Sequence, residues 1–161
     1  MSGPRPKKLN YEQTFAVAME IARALSDAGH LDPAEVEGAA GDIVKYGQHW
    51  NDGYELARAL DKSAHWDCNL EMAEELDNFS RLYSRAMDAA EKQWAVTSDI
   101  RPPLPVETRV RLASGECGKI TGIYDHGAAK FLVAIDGDPK ADTPQQSRRI
   151  VNFEDVTELA P

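Results

Sequence analysis

The hydrophobic period of this chain changes once, from about 3.6 residues to about two, and the change falls at Arg101-Pro102-Pro103-Leu104-Pro105. A stretch of this composition cannot extend a helix and favours extended backbone. Residues 100–105 are therefore expected to link two regions of different structure. The expected fold class is α+β: an N-terminal antiparallel helical bundle of about four helices over residues 10–99, then a five-stranded β-barrel over residues 106–161. Residues 1–9 are expected as a flexible basic tail.

In the first region Tyr11, Phe15, Ala18, Ala22 and Leu25 recur at helical spacing, with Asn10 placed to cap and Gly29 where a left-handed C-terminal residue is wanted. Asp32-Pro33-Ala34-Glu35 combines an acidic N-cap, proline at the first helical position and Glu three residues after the cap, which predicts a second helix running to about Gly47. The stretch from His49-Trp50-Asn51 to Asp61 aligns with the one from His65-Trp66-Asp67 to Asp77, and His30-Leu31-Asp32 is a fainter copy of the same beginning. The physical content of that repeat is a helix start, with an apolar residue ahead of an Asp or Asn cap. A long last helix is expected over Asn69–Val96. One face would carry Met72, Leu76, Phe79, Tyr83, Ala86, Ala90 and Trp94, and the opposite face an acid row.

Beyond the prolines Val106, Thr108, Val110 and Leu112 alternate with Glu107, Arg109 and Arg111, a half-buried strand. Turn residues then separate Lys119–Tyr124, Lys130–Asp136, Arg148–Phe153 and Val156–Leu159, with a polar loop over Gly137–Ser147. Five short strands, the last two joined by Glu154-Asp155, resemble a small SH3-like barrel. The ending Arg148-Arg149-Ile150-Val151-Asn152-Phe153 through Leu159 is similar to the way KOW- and Tudor-type barrels close. The resemblance implies a fold, and such barrels host many unrelated functions.

Charge is unevenly distributed over the 161 residues. Leu9–Asp99 holds 18 acids and 7 bases, residues 1–8 hold three bases, and residues 100–161 hold 9 acids and 8 bases, which together make the net −9. A helical region this acidic repels nucleic acid and anionic membranes alike. No apolar run approaches the roughly 20 residues a membrane span needs, and Met1–Asn10 lacks the apolar stretch of a signal peptide. Cys68 and Cys117 lie in different regions, so reduced thiols and a cytoplasmic location are expected.

Candidate sites follow from this distribution. The acid row Asp67, Glu71, Glu74, Glu75 and Asp77, extended by Asp52 and Glu55, is the candidate partner-binding face. On one continuous helix its five carboxylates would space charge at about 3 Å of axis, close to that of one DNA strand. In the barrel Arg109, Arg111, Lys119, Lys130, Arg148 and Arg149, with Tyr124 nearby, make a candidate basic patch. Histidines 30, 49 and 65 and Cys68 are not in zinc spacing, and a nucleophilic Cys68 would need His65 oriented beside it by a third group. No cofactor, metal or catalytic set is expected.

The leading expectation is a non-catalytic interaction protein. Its acidic helices would occupy the nucleic-acid-binding surface of a DNA- or RNA-handling complex, in the manner of phage-encoded inhibitors of restriction or CRISPR effectors. A regulatory adaptor whose barrel binds nucleic acid or peptide is the alternative from another class, and an enzyme or metal protein using Cys68 and His65 the third.

Overall fold

The computed structural model describes residues 3–47, 52–140 and 147–160. The protein is α+β, with five α-helices followed by a five-stranded antiparallel sheet among the described residues. It divides into two compact units: residues 6–90, and residues 1–5 together with 91–161. The division falls inside the last helix and not at the prolines.

In the helical unit, α1 (Tyr11–Asp27) starts as expected. Asn10 Oδ1 accepts from Gln13 N at 2.8 Å while Gln13 Oε1 accepts from Asn10 N at 2.9 Å, so two otherwise orphaned N–H groups are satisfied. Its buried face is Thr14, Val17, Ala18, Ile21, Ala22 and Leu25. Tyr11, assigned to that face by periodicity, is 65% exposed. Gly29 follows at φ +83°, a conformation open to glycine without steric cost. Asp32 and Glu35 form the second cap: Asp32 Oδ1 accepts from Ala34 N at 2.9 Å and Glu35 Oε2 from Asp32 N at 3.1 Å. The first turn there is 3-10 (Pro33–Glu35), leading into α2 (Val36–Gly47).

The expected long helix is two elements, α4 (Leu70–Leu76) and α5 (Asn78–Thr97), broken at Asp77. The break follows from a close approach by α3 (Gly53–Ala64). A Cβ at Gly53 would lie 2.3 Å from Asp77 N and 2.4 Å from Ala73 O, so only glycine fits against this backbone. Asp77 Oδ1 then accepts from Gly53 N at 2.9 Å. The two copies of the repeat do hold helix starts, but their caps are Asp52 and Asn69, one residue out of step with the alignment. His65, aligned with His49, ends α3 in left-handed conformation at φ 60°. Residues 49–51 of the first copy lie outside the described residues, as does most of the expected Gly137–Ser147 loop. The helices share one core: α1 packs on α2 and α4, and α3 on α2 and α4.

In the other unit, β1 (Arg109–Leu112), β2 (Cys117–Ile123), β3 (Lys130–Ile135), β4 (Arg149–Asn152) and β5 (Val156–Glu158) run in the spatial order β4-β3-β2-β1-β5. The sheet is not closed, which departs from the expected barrel: β4 and β5 remain its two edges. β1 starts three residues later than the alternation suggested, because Glu107 is left-handed at φ 76° and Thr108 Oγ1 donates to Pro105 O at 2.7 Å. One face of the sheet buries Val110, Ile120, Phe131 and Val133. Phe153, in the 3-10 turn Phe153–Asp155, packs on Phe131 at a tilt of 41° with ring centroids 4.4 Å apart.

The segment expected as a tail is anchored. All five guanidinium N–H donors of Arg5 are engaged. Nε and Nη2 donate to Glu154 at 2.6 and 3.2 Å, Nη1 to Glu91 and to Ala128 O at 2.8 Å each, and Nη2 to Ala129 O at 2.8 Å. Trp94 lies beneath, its ring centroid 4.9 Å from the guanidinium carbon, and donates its own N–H to Gly3 O at 2.8 Å. Periodicity placed Trp94 on the helical core face; it serves this clamp instead. Residue 9, the end of the expected tail, is a buried leucine of the helical core whose N–H donates to Tyr83 Oη at 3.1 Å.

Burial alone would lower the Arg5 pKa, but the hydrogen bonds and charges of Glu154 and Glu91 outweigh it and hold the group above its usual range. Burial alone would likewise raise Glu154, yet the Arg5 hydrogen bonds keep its carboxyl below the usual range.

Gly53→Ala is expected to cost about 2–4 kcal/mol in a denaturant titration, since backbone rather than a flexible side chain must yield. A cost near zero would mean the α3–α4 approach is looser than described. Arg5→Ala should cost about 2–4 kcal/mol, and Arg5→Lys nearly as much, because three ammonium donors cannot reproduce a planar five-donor fork. Glu154 is held below its ordinary 4.5, so its contribution is complete above that pH and disappears as pH falls through the lowered value. The melting temperature of the wild type should therefore fall more steeply below about pH 4.5 than that of Arg5→Gln.

Candidate functional site

The seven acids of the candidate face fall into two groups. Asp52 caps α3, its Oδ1 accepting from Tyr54 N at 2.7 Å, and Asp77 secures Gly53 N as described. These two carboxylates are committed to holding helix ends. Glu55 lies in the first turn of α3, where the helix dipole favours it. Asp67 precedes α4 by three residues and Asn69 is the actual cap, its Oδ1 accepting from Met72 N at 2.9 Å. Only Glu71, Glu74 and Glu75 lie within α4, so the regular axial spacing expected of one long helix does not hold. Glu71 and Glu74 are exposed and Glu75 half-buried. Glu71 Oε2 lies 3.1 Å from His30 Nε2.

Beside this group, the helical unit carries an open cleft of about 470 Å³ between the start of α2 and the turn after α3. Glu35, Asp42, Asp67, Trp66, His30 and His65 bring its polar and aromatic groups together. Trp66 donates its indole N–H to Asp42 Oδ2 at 2.9 Å, which fixes the ring against α2. Sequence reasoning weighed the histidines as helix-entry residues or metal ligands, and His65 also as a partner for Cys68, and missed Asp42 altogether. The sole signal for it is its position on α2, 24 residues from its partner. Among the described residues, no three His, Cys, Asp or Glu side chains are grouped to hold a metal ion. His49 lies outside the described residues.

Cys68 is half-buried, and its thiol is pushed up to about 12, first by burial and then by Asp61 and Asp67. Its backbone N–H donates to Asp61 Oδ1 at 2.9 Å. At neutral pH it is a thiol and not a thiolate, so the environment works against nucleophilic chemistry. No hydrogen bond joins it to His65 among the described residues.

The basic patch of the sheet is largely neutralised. Arg109 pairs with Asp136, Lys119 with Glu107 at 2.8 Å, Lys130 with Glu91 at 3.9 Å and Arg149 with Glu116. Arg148 Nε donates to Thr121 Oγ1 at 3.1 Å, and Arg111 stands exposed on β1. Tyr124 makes an edge contact with His126, centroids 5.6 Å apart. In the helical unit the pattern is reversed. Its residues 6–90 hold 16 acids and 8 bases, and no carboxylate there pairs with Lys or Arg among the described residues.

No protein family, curated protein or solved structure matches this chain. Among the described residues no helix is long and apolar enough to cross a membrane.

The Cys68 environment is directly testable. Alkylation of the native protein by iodoacetamide at pH 8 should be about tenfold or more slower at Cys68 than at an unperturbed thiol. Reaction at the ordinary rate would show a solvated, activated sulfur and reopen the nucleophile reading.

Proposed function

We propose that this protein is a non-catalytic interaction module whose helical unit binds a basic, nucleic-acid-binding surface on another protein. The observation that supports this reading is the segregation of charge. The sheet unit uses its acids to neutralise its own cations, whereas Glu55, Asp67, Glu71, Glu74 and Glu75 have no Lys or Arg partner among the described residues. Carboxylates without internal counter-ions repel one another and are relieved by an external cation array. Such a module would inhibit a DNA- or RNA-handling complex, such as a restriction or CRISPR effector, by occupying its Lys/Arg groove, as a phage-type inhibitor would.

The finer features of the fold belong to the same proposal. A helical unit organised as an antiparallel bundle is one. An SH3-like sheet unit is the other, supported by the β1–β4 meander, by the return of β5 beside β1 and by the single turn joining β4 to β5. The sheet serves here as scaffold, because Arg109, Lys119, Lys130 and Arg149 of the patch are engaged with carboxylates among the described residues. A cytoplasmic location, where such complexes operate, accords with this reading.

The test replaces Glu71, Glu74 and Glu75 by Gln. Relief of the Glu71–Glu75 repulsion and loss of the His30–Glu71 contact, whose carboxylate is solvated, should nearly cancel, leaving stability within about 0.5 kcal/mol. Capture of a nucleic-acid-binding protein should weaken more than about tenfold, and the remaining binding should depend less steeply on salt. Equal capture by variant and wild type across a salt series would refute the acidic-face reading.

A further inference from the structure

We propose that the cleft beside Trp66 is a receptor for a single arginine side chain of the partner; this deepens the acidic-face reading and rests on it. The cleft is about 470 Å³, within the roughly 300–1,000 Å³ of small-ligand sites. Three carboxylates, Glu35, Asp42 and Asp67, line it, and no Lys or Arg does among the described residues. An aromatic wall with carboxylates around it selects an organic cation. The indole face attracts positive charge through its quadrupole, and the carboxylates supply hydrogen-bond acceptors.

A compact metal ion does not suit the site, because the side chains do not converge to within coordination reach among the described residues. A guanidinium does, since it carries its donors outward in a plane and can stack on the ring while reaching acceptors that lie apart. The ring is held for this purpose: Asp42 fixes Trp66 through the indole N–H, so one side chain both orients the aromatic wall and adds negative charge. Glu35 is oriented too, by its bond from Asp32 N.

The helical surface around the cleft supplies long-range attraction, and the cleft supplies a place for one anchor. Arginine is, with Trp and Tyr, among the residues enriched where binding energy concentrates in protein interfaces. The acid row of α4 and the cleft thus have separable tasks, and they can be tested separately.

The experiment uses the isotope-labelled full chain and follows the assigned indole N–H resonance of Trp66. The probe is Nα-acetyl-arginine N-methylamide, compared with the citrulline analogue, which has the same shape without charge, and with the lysine analogue. A saturable shift with the arginine probe is expected, at an affinity on the order of 1 mM. The citrulline probe should produce none, and the lysine probe should bind about threefold or more weakly.

Asp42→Asn/Asp67→Asn keeps an acceptor for the indole and the shape of the cleft while removing two charges, and should weaken the arginine probe about tenfold. Glu12→Gln, on α1 and outside the cleft, should not. No saturable shift, an equal shift with citrulline, or equal affinity for lysine would overturn the arginine receptor. None of these readings requires the partner. If partner capture ignores the α4 substitutions while arginine still binds at Trp66, the interaction reading falls and the cleft stands.

Discussion

The guanidinium of Arg5 organises the unit that contains it. A cation that is only 10% exposed is tolerated because each of its five donors meets an acceptor and two carboxylates neutralise it. The consequences spread outward from that group. Glu91 is the first residue of α5 belonging to this unit, Ala128 and Ala129 close the β2–β3 connection, and Glu154 lies in the turn between β4 and β5. Ala129 O accepts from Arg5 and, at 3.0 Å, from Phe153 N. The clamp therefore meets the turn that places Phe153 on Phe131. Ala129 itself is left-handed at φ 53°, a conformation alanine adopts at a cost, and the two bonds to its carbonyl are what hold it there.

The treatment of charge differs between the two units, and that difference carries the functional reading. In the sheet, register sets two like charges side by side: Arg109 and Lys119 are cross-strand partners, and each turns to an acid, Asp136 or Glu107. Two cations placed side by side would repel by a few tenths of a kcal/mol, and the flanking acids remove that cost. The helical unit has no such compensation for most of its acids, and an acidic surface of this kind gains most from a cationic partner.

Local chemistry made part of this fold legible. The caps at Asn10 and Asp32 need only residues within three positions, and both operate as expected. The strands Lys119–Tyr124, Lys130–Asp136 and Val156–Leu159 were placed within about two residues by the period of two and the turn residues between them. What escaped was nonlocal. Arg5 looked like tail because its carboxylates lie 86 and 149 residues away. The break at Asp77 has no signal in Asn69–Val96, since Gly53 imposes it from 24 residues upstream. The neutralisation of the basic patch was hidden for the same reason: composition shows the cations, but only the folded sheet shows which acids meet them.

The distinction between capping and uncommitted carboxylates explains how one acidic stretch can serve both fold and surface. Asp32, Asp52 and Asp77 each accept from a backbone N–H at a helix start, where charge is favoured by the dipole and by an otherwise orphaned donor. Their negative charge is a by-product of making helices begin. Glu74 and Glu75 lie past the first turn of α4 and cap nothing, and Glu71 faces only a histidine. Glutamine would preserve helicity at all three positions, so helix formation alone does not call for carboxylates there. Asp67 and Asp42 similarly flank Trp66 without capping a helix, although a neutral acceptor would satisfy the indole equally well. The acids whose charge the fold does not require are thus Glu71, Glu74 and Glu75 on α4 and Asp42 and Asp67 beside the cleft, where a cationic partner would meet them.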